Sequence, residues 1–188
     1  VMLDKSLREL NCLKKPPILH YAVKAPTFSF IRLKGADPTL GVEMTSTGEV
    51  ACLDYDFASA YLKALRASNL PLPNPEKPIL VTVKDEDQAT AVEIARKLQE
   101  MNFQILATRG TAKTMQAAGI PNVTVVRKLS EAGDEQSIQD YLANRQVGFV
   151  INSPSLGDGK SLTDGYAIRR MAVEYLIPVV TNIETAQA

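Results

Sequence analysis

The stretch PILVTVKDEDQATAVEIARKLQEMNFQILATRGTAKTMQAAG, Pro78 to Gly119, decides the fold. Its opening PILVTVK is a short, continuous β-branched run, the pattern of a strand buried on both faces. The next segment, DEDQATAVEIARKLQEMNF, sets Ala91, Ile94, Ala95, Leu98 and Met101 at helical spacing, behind acids that suit a helix start. FQILAT is a second strand, and TAKTMQAAG a short helix stopped by Gly119. A strand, a helix, a strand and a helix in this order define a repeating unit.

Downstream, the alternation continues. VTVVRK is a third strand, and DEQSIQDYLANR a helix with Ile138, Tyr141 and Leu142 on one face. VGFVIN is a fourth strand, GYAIRRMAVEYL a helix, IPVVTN a fifth strand, and IETAQA begins another helix. Strands separated by helices throughout predict an α/β fold with a five-stranded, parallel, doubly wound sheet.

Upstream, the pattern breaks at NLPLPNPEKP, where Pro71, Pro73, Pro75 and Pro78 disfavour both helix and ladder pairing. Residues 71–78 read as an extended linker, with a buried strap as the alternative. The region before it, 1–70, is less regular. SLRELNCL reads as helical, ILHYAVKAP and FSFIRL as strands, and FASAYLKALRAS as a helix. Asp54 or Asp56 would cap that last helix, with Ala60, Leu62 and Leu65 turned inward. A small α+β segment therefore precedes the sheet, too short and broken to be an enzyme core.

Composition removes several function classes. Lys+Arg and Asp+Glu both number 21, so no global charge argues for nucleic acid or a membrane surface. No apolar run approaches the roughly 20 residues that span a bilayer, and VMLDKSLREL is not a signal peptide. The chain begins on Val1 rather than Met, as a segment of a longer chain would. Cys12 and Cys52 are too few for a metal site or a disulfide framework, so a reducing cytoplasm is expected. His20, the single histidine, makes a His-based zinc site or triad an unpromising reading.

Polar residues collect at the carboxyl ends of the expected strands, where open parallel sheets bind ligands. They are Thr82 and Lys84; Thr108, Arg109, Gly110 and Thr111; Arg127 and Lys128; Asn152, Ser153 and Ser155; Thr181 and Asn182. Hydroxyls, amides and cations suit a phosphate or carboxylate. Each residue alone is equally a helix cap or turn former, and only the coincidence across strand ends favours a pocket. RGT lacks the spacing of both nucleotide-binding glycine fingerprints, and GDGK, 157–160, reads as a solvated turn. EAGDEQ, 131–136, is explained by helix capping as well as by a general base. Arg169 and Arg170 point about 100° apart on a helix and cannot both face the pocket, so one would bind an acid and the other pair across the surface.

With these residues in view, EMTSTGEVACLDYDFASAYLKAL resembles the end of the second ATP-grasp half of the carbamoyl-phosphate synthetase large subunit, marked by an EM-x-STGEV run. The remainder, with its ATRGTA, VINSP and AIRRMA segments, is similar to that family's C-terminal regulatory domain of methylglyoxal synthase fold. The resemblance covers essentially the whole chain. It implies three parts: 1–70 from the ATP-grasp half, the linker 71–78, and a regulatory domain over 79–188. It also implies an allosteric module of pyrimidine or arginine biosynthesis that is not catalytic alone, ATP and Mg being bound elsewhere in the full synthetase. The effector would be UMP, IMP, ornithine or acetylglutamate. The partners would be the rest of the large subunit and the glutaminase subunit.

By motif, Thr108 and Thr111 match the family's two ligand-binding threonines, Thr82 a small hydroxyl, Lys128 a lysine and Asn152 an asparagine. Three departures accompany them: Gln88 stands where nucleotide-regulated members place a phosphate-binding lysine, Arg109 where they often have histidine, and Pro154 where they have a hydroxyl. Arg109 is the candidate to replace the lost charge. Two other readings compete. GDEQ, 133–136, faintly resembles the turn of methylglyoxal synthase itself, with Asp134 as base, but VTVKDED and LTDG depart from that enzyme's histidine-bearing segments. The last reading is a structural, homo-oligomerising domain.

Overall fold

The computed structural model describes residues 4–15, 17–39, 46–154 and 164–188. Two strands come first, β1 (Tyr21–Thr27) and β2 (Gly48–Asp54), paired antiparallel from Tyr21↔Asp54 to Thr27↔Gly48. Helix α1 (Phe57–Ala67) follows, its first turn capped by Asp56, whose carboxylate accepts from Ser59 N–H at 2.9 Å. Ala60 and Ala64 are its buried residues, whereas Leu62 is exposed, contrary to the inward role expected for it. Small residues at i and i+4 let the helix sit close on the hairpin, which needs no leucine there.

Two further expectations for this region fail. SLRELNCL forms only turns, and FSFIRL forms a turn around residues 30–35 in place of a strand. The second failure has a cause visible in the contacts: the Phe30 and Leu33 carbonyls bond to Arg170 instead of to a neighbouring strand. Conversely, β2 forms from GEVACLD, where no strand was expected.

After residues 70–78, which carry neither helix nor strand, the alternation begins. Its elements are β3 (Ile79–Thr82), α2 (Gln88–Glu100), β4 (Ile105–Thr108), α3 (Arg109–Ala117), β5 (Val123–Val126), α4 (Ile138–Ala143), β6 (Phe149–Asn152), α5 (Asp164–Glu174), β7 (Val179–Val180) and α6 (Ile183–Gln187). All five strands pair in parallel, in the order β5-β4-β3-β6-β7. Every residue of β3, β4 and β6 is buried, as continuous apolar runs require when helices cover both faces.

The two faces are built by alternate residues. Ile79 and Val81 pack with Ile94 and Leu98 of α2, Met115 of α3 and Ile183 of α6. Leu80, Leu106 and Val150 pack with Ile138 and Leu142 of α4 and Ile168 of α5. Met101, expected on the core face of α2, is instead 53% exposed beyond its end. Gly119 adopts φ +78° immediately after α3, the left-handed geometry in which glycine ends helices.

The chain winds outward from β3 through β4 and β5, then returns to lay β6 and β7 on its other side. The loops leaving β3 and β6 therefore run to opposite faces. Between them lies the topological switch point, with Thr82 and Asn152 directly paired at its rim.

Candidate functional site at the carboxyl ends of the strands

The residues at this rim are polar and yet buried. Thr82 is 8% exposed, Thr108 3%, Thr111 2% and Asn152 2%, in a layer where the neighbouring strand residues are aliphatic. Burying hydroxyls and amides costs free energy unless they bond, so their partners decide what the layer is for.

Thr108 is the informative case. It ends β4 and stands at the N-cap of α3 with extended backbone, yet its side chain makes no capping bond. Its hydroxyl instead faces Thr82 Oγ1 at 3.5 Å and Thr111 Oγ1 at 3.4 Å. Good hydroxyl–hydroxyl bonds are about 2.7–2.8 Å, so this cluster is close but weakly bonded. Its lone pairs and protons stay available to a ligand. Asn182 shows the opposite case, since its Oδ1 caps α6 by accepting from Thr185 N–H at 2.9 Å. Ser137 likewise caps α4.

Gln88, in the first turn of α2, joins the threonines. Its Nε2 donates to Thr111 Oγ1 and to the Val83 carbonyl, each at 3.4 Å, while its Oε1 is buried without a partner. Gly110 lies in the first turn of α3, and the space a Cβ would occupy there is open. The first-turn N–H groups of this nine-residue helix add donors beside the hydroxyls.

The expected cations separate. The Arg109 side chain is 60% exposed and its Nη2 bonds Glu135 Oε1 at 2.9 Å. Glu135 is held below the usual carboxylate range by its own backbone N–H and then by Arg109. Arg109 is thus committed at the surface and does not make up for the lysine absent at Gln88. Lys128 is half-buried; its backbone N–H bonds Glu131 Oε2 at 3.4 Å, and among the described residues its ammonium makes no ion pair. Arg127 is spent inside its own loop, on the Glu131 and Glu135 carbonyls. Asp134 is exposed there.

On the β6 side, Ser153 Oγ accepts from Lys84 N–H at 3.1 Å, and Lys84 Nζ stands 4.0 Å from Asp87 Oδ1. Lys84, Asp87, Ser153, Pro154 and Thr181 line a hollow of about 230 Å³. Ser155 and the GDGK segment lie outside the described residues.

Of the arginines of α5, Arg169 meets an acid and a residue of the rim and Arg170 pairs with Glu174, but both are buried and both reach the first region. Arg169, 4% exposed, donates to Asn152 Oδ1 at 2.6 Å and to both oxygens of Asp37. Arg170 donates to the carbonyls of Phe30, Leu33 and Ala36 at 3.1, 2.9 and 3.2 Å, and to Glu174. Side chains 169 and 170 leave the helix about 100° apart, but the chain segment 30–37 reaches both. A second hollow, about 740 Å³ and largely apolar, lies between this first region and α5, β7 and α6, with Phe28, Tyr61, Leu65 and Val179 among its walls.

Residues 90–181 match the MGS-like domain. The whole chain is 42% identical over 189 residues to the carbamoyl phosphate synthase large chain of Methanothermobacter thermautotrophicus, covering 17% of it. It is 40% identical over 200 residues to the large chain's C-terminal section from Methanocaldococcus jannaschii, covering 31% of that protein. Over 174 residues, 89% of this chain, it is 40% identical to the multifunctional protein ura1 of Schizosaccharomyces pombe, of which it covers 8%. The chain thus spans less than a third of the length of these relatives. Among solved structures, methylglyoxal synthase from Elizabethkingia anophelis aligns at a TM-score of 0.45 and 19% identity, over 61% of this chain and 78% of that one.

Proposed function

The chain belongs with the carboxyl-terminal part of carbamoyl phosphate synthase large chains, its residues 90–181 being MGS-like, and from that premise we propose that it is the effector-binding regulatory piece of such a synthetase. In this reading, residues 1–70 close the preceding ATP-grasp half, 71–78 link, and 79–188 form the regulatory domain. The reaction itself, with ATP and Mg, belongs to the rest of the large chain, and the glutaminase subunit supplies nitrogen. The pathway is pyrimidine or arginine biosynthesis.

One observation carries the reading: the Thr108 hydroxyl is not used to cap α3 and instead meets Thr82 and Thr111 at the switch point. A strand-end threonine of purely structural purpose would be expected to cap the helix it begins. Thr82, Thr108, Thr111 and the amides around Gly110 are the proposed anion-holding groups, with Lys128 and Asn152 at the flanks. Because Gln88 brings no charge and Arg109 is drawn to Glu135, the site suits a small carboxylate better than a doubly charged phosphate.

Calorimetric titration of the full chain with UMP, IMP, ornithine and acetylglutamate tests this. Binding by at least one is expected, weakened about tenfold in Thr111→Val, which keeps the side-chain shape and deletes the hydroxyl. No heat from any of the four, with a folded protein, would remove the effector reading and leave a structural module.

A further inference from the structure

The geometry points to Arg169 as a positioning residue that couples the strand-end site to the segment 30–37, an inference that rests on reading those strand ends as the effector site. Its guanidinium is shared between two partners from distant parts of the chain. Nη1 donates to Asn152 Oδ1 at 2.6 Å, while Nε donates to Asp37 Oδ1 at 2.7 Å and Nη2 to Asp37 Oδ2. A planar fork cannot turn toward one partner without changing its geometry to the other. Gly165, one turn earlier on α5, leaves room for it: a Cβ there would stand 3.1 Å from Arg169 Nη1.

Neighbouring residues of α5 hold the same segment. Tyr166 donates its hydroxyl proton to the Gly35 carbonyl at 2.7 Å, and Arg170 gathers the Phe30, Leu33 and Ala36 carbonyls. Segment 30–37 lies between β1 and β2, so α5 connects the sheet's switch point to the hairpin of the first region.

The consequence for a ligand follows from Asn152. Oδ1 being held by Arg169, the carboxamide is oriented so that its NH₂ is the group turned free to donate. A ligand presenting an acceptor, such as a carboxylate, phosphate or carbonyl oxygen, fits that orientation and holds it. A ligand presenting a donor would have to share Oδ1 with the guanidinium or flip the amide, and either weakens the Arg169 bond and with it the hold on Asp37. Acceptor binding and docking of segment 30–37 therefore support each other, and by linkage the effect is reciprocal.

Hydrogen exchange on the full chain reads this without knowledge of the effector. Asn152→Ala and Arg169→Lys should each speed exchange across 29–38 by about fivefold or more, with β3 still protected. Asn152→Asp keeps an oxygen for the guanidinium and loses the donor, so segment 29–38 should stay slow. Unchanged exchange at 29–38 in a folded Asn152→Ala protein overturns the coupling. If β3 protection shows that this variant does not fold, Asp37→Asn decides. The side-chain NH₂ resonances of Asn152 should then shift, and unmoved resonances overturn the coupling equally. Calorimetry with UMP and acetylglutamate separates the two readings. Coupling with no binding of these or of IMP and ornithine supports Arg169 and removes the effector, whereas binding lost in Asn152→Asp with exchange unchanged supports both.

Discussion

At the scale of single residues, similar side chains at strand ends do different work, and only their bonds tell them apart. Asn182 is spent on a helix cap, whereas Thr108 stands in a cap position and bonds elsewhere. Gln88 is the residue that tests the proposed site most directly, since its amide touches Thr111 and its Oε1 is buried without a partner. Gln88→Lys would place a cation against the threonine hydroxyls, and a charge-assisted bond contributes about 1.5–3 kcal/mol. UMP affinity should rise about ten- to hundredfold, measured calorimetrically, and an unaltered affinity would detach Gln88 from the site. Away from the site, Asp54 is held below its ordinary range chiefly by the hydrogen bond from Lys63, helped by the Tyr55 N–H. A carboxyl lowered by folding stabilises above its unfolded pKa and loses that contribution as pH falls through the folded value. Lys63→Met should move the Asp54 carboxyl resonance to titrate at higher pH, while Glu135, held by its own backbone N–H and Arg109, stays where it was.

At the scale of elements, what could be read from sequence was what local pattern determines. The strands β3, β4 and β6 were legible because their residues are apolar without interruption, which only burial on both faces explains. Helix α1 was legible for its period and its cap, and Asp56→Ala should lower stability by removing the acceptor for Ser59 N–H. Chemical denaturation would register this as a lower midpoint with unchanged slope. The failures have physical reasons of their own. SLRELNCL does form a reciprocal cap, with Ser6 N–H on Glu9 and Glu9 N–H on Ser6. Yet Leu7, Leu10 and Leu13 remain exposed, and a short helix with no packed face does not repay its nucleation. FSFIRL has strand composition, but its carbonyls are claimed by Arg170, 140 residues away at Phe30. The candidate site divides in the same way. Thr82, Thr108 and Thr111 were visible because strand ends are local features, while for Arg169 the sequence offered only a candidate and not its Asp37 partner, 132 residues away.

At the scale of the whole molecule, the two regions are unequal in how they are held. The sheet domain is closed by two aliphatic layers, whereas the first region exposes Tyr21, Leu53, Tyr55 and Phe57 and has few buried residues of its own among those described. Its segment 30–37 is fastened by hydrogen bonds to α5, most of them from two buried guanidinium groups. Such bonds are directional, so losing one donor releases several acceptors together. Arg170→Met keeps much of the aliphatic volume and leaves the Phe30, Leu33 and Ala36 carbonyls without their shared donor, a loss of about 2–4 kcal/mol. That loss falls on the docking of the first region, since Ile168 and Ala172 still pack α5 onto the sheet. Unfolding should then cease to be a single transition. Near-ultraviolet circular dichroism, to which Tyr21, Tyr55 and Tyr61 contribute half the tyrosines, should change at lower urea than the far-ultraviolet signal of the sheet domain. Coincident transitions in the variant would mean that apolar contacts around the larger hollow, and not the arginine, fasten the two regions.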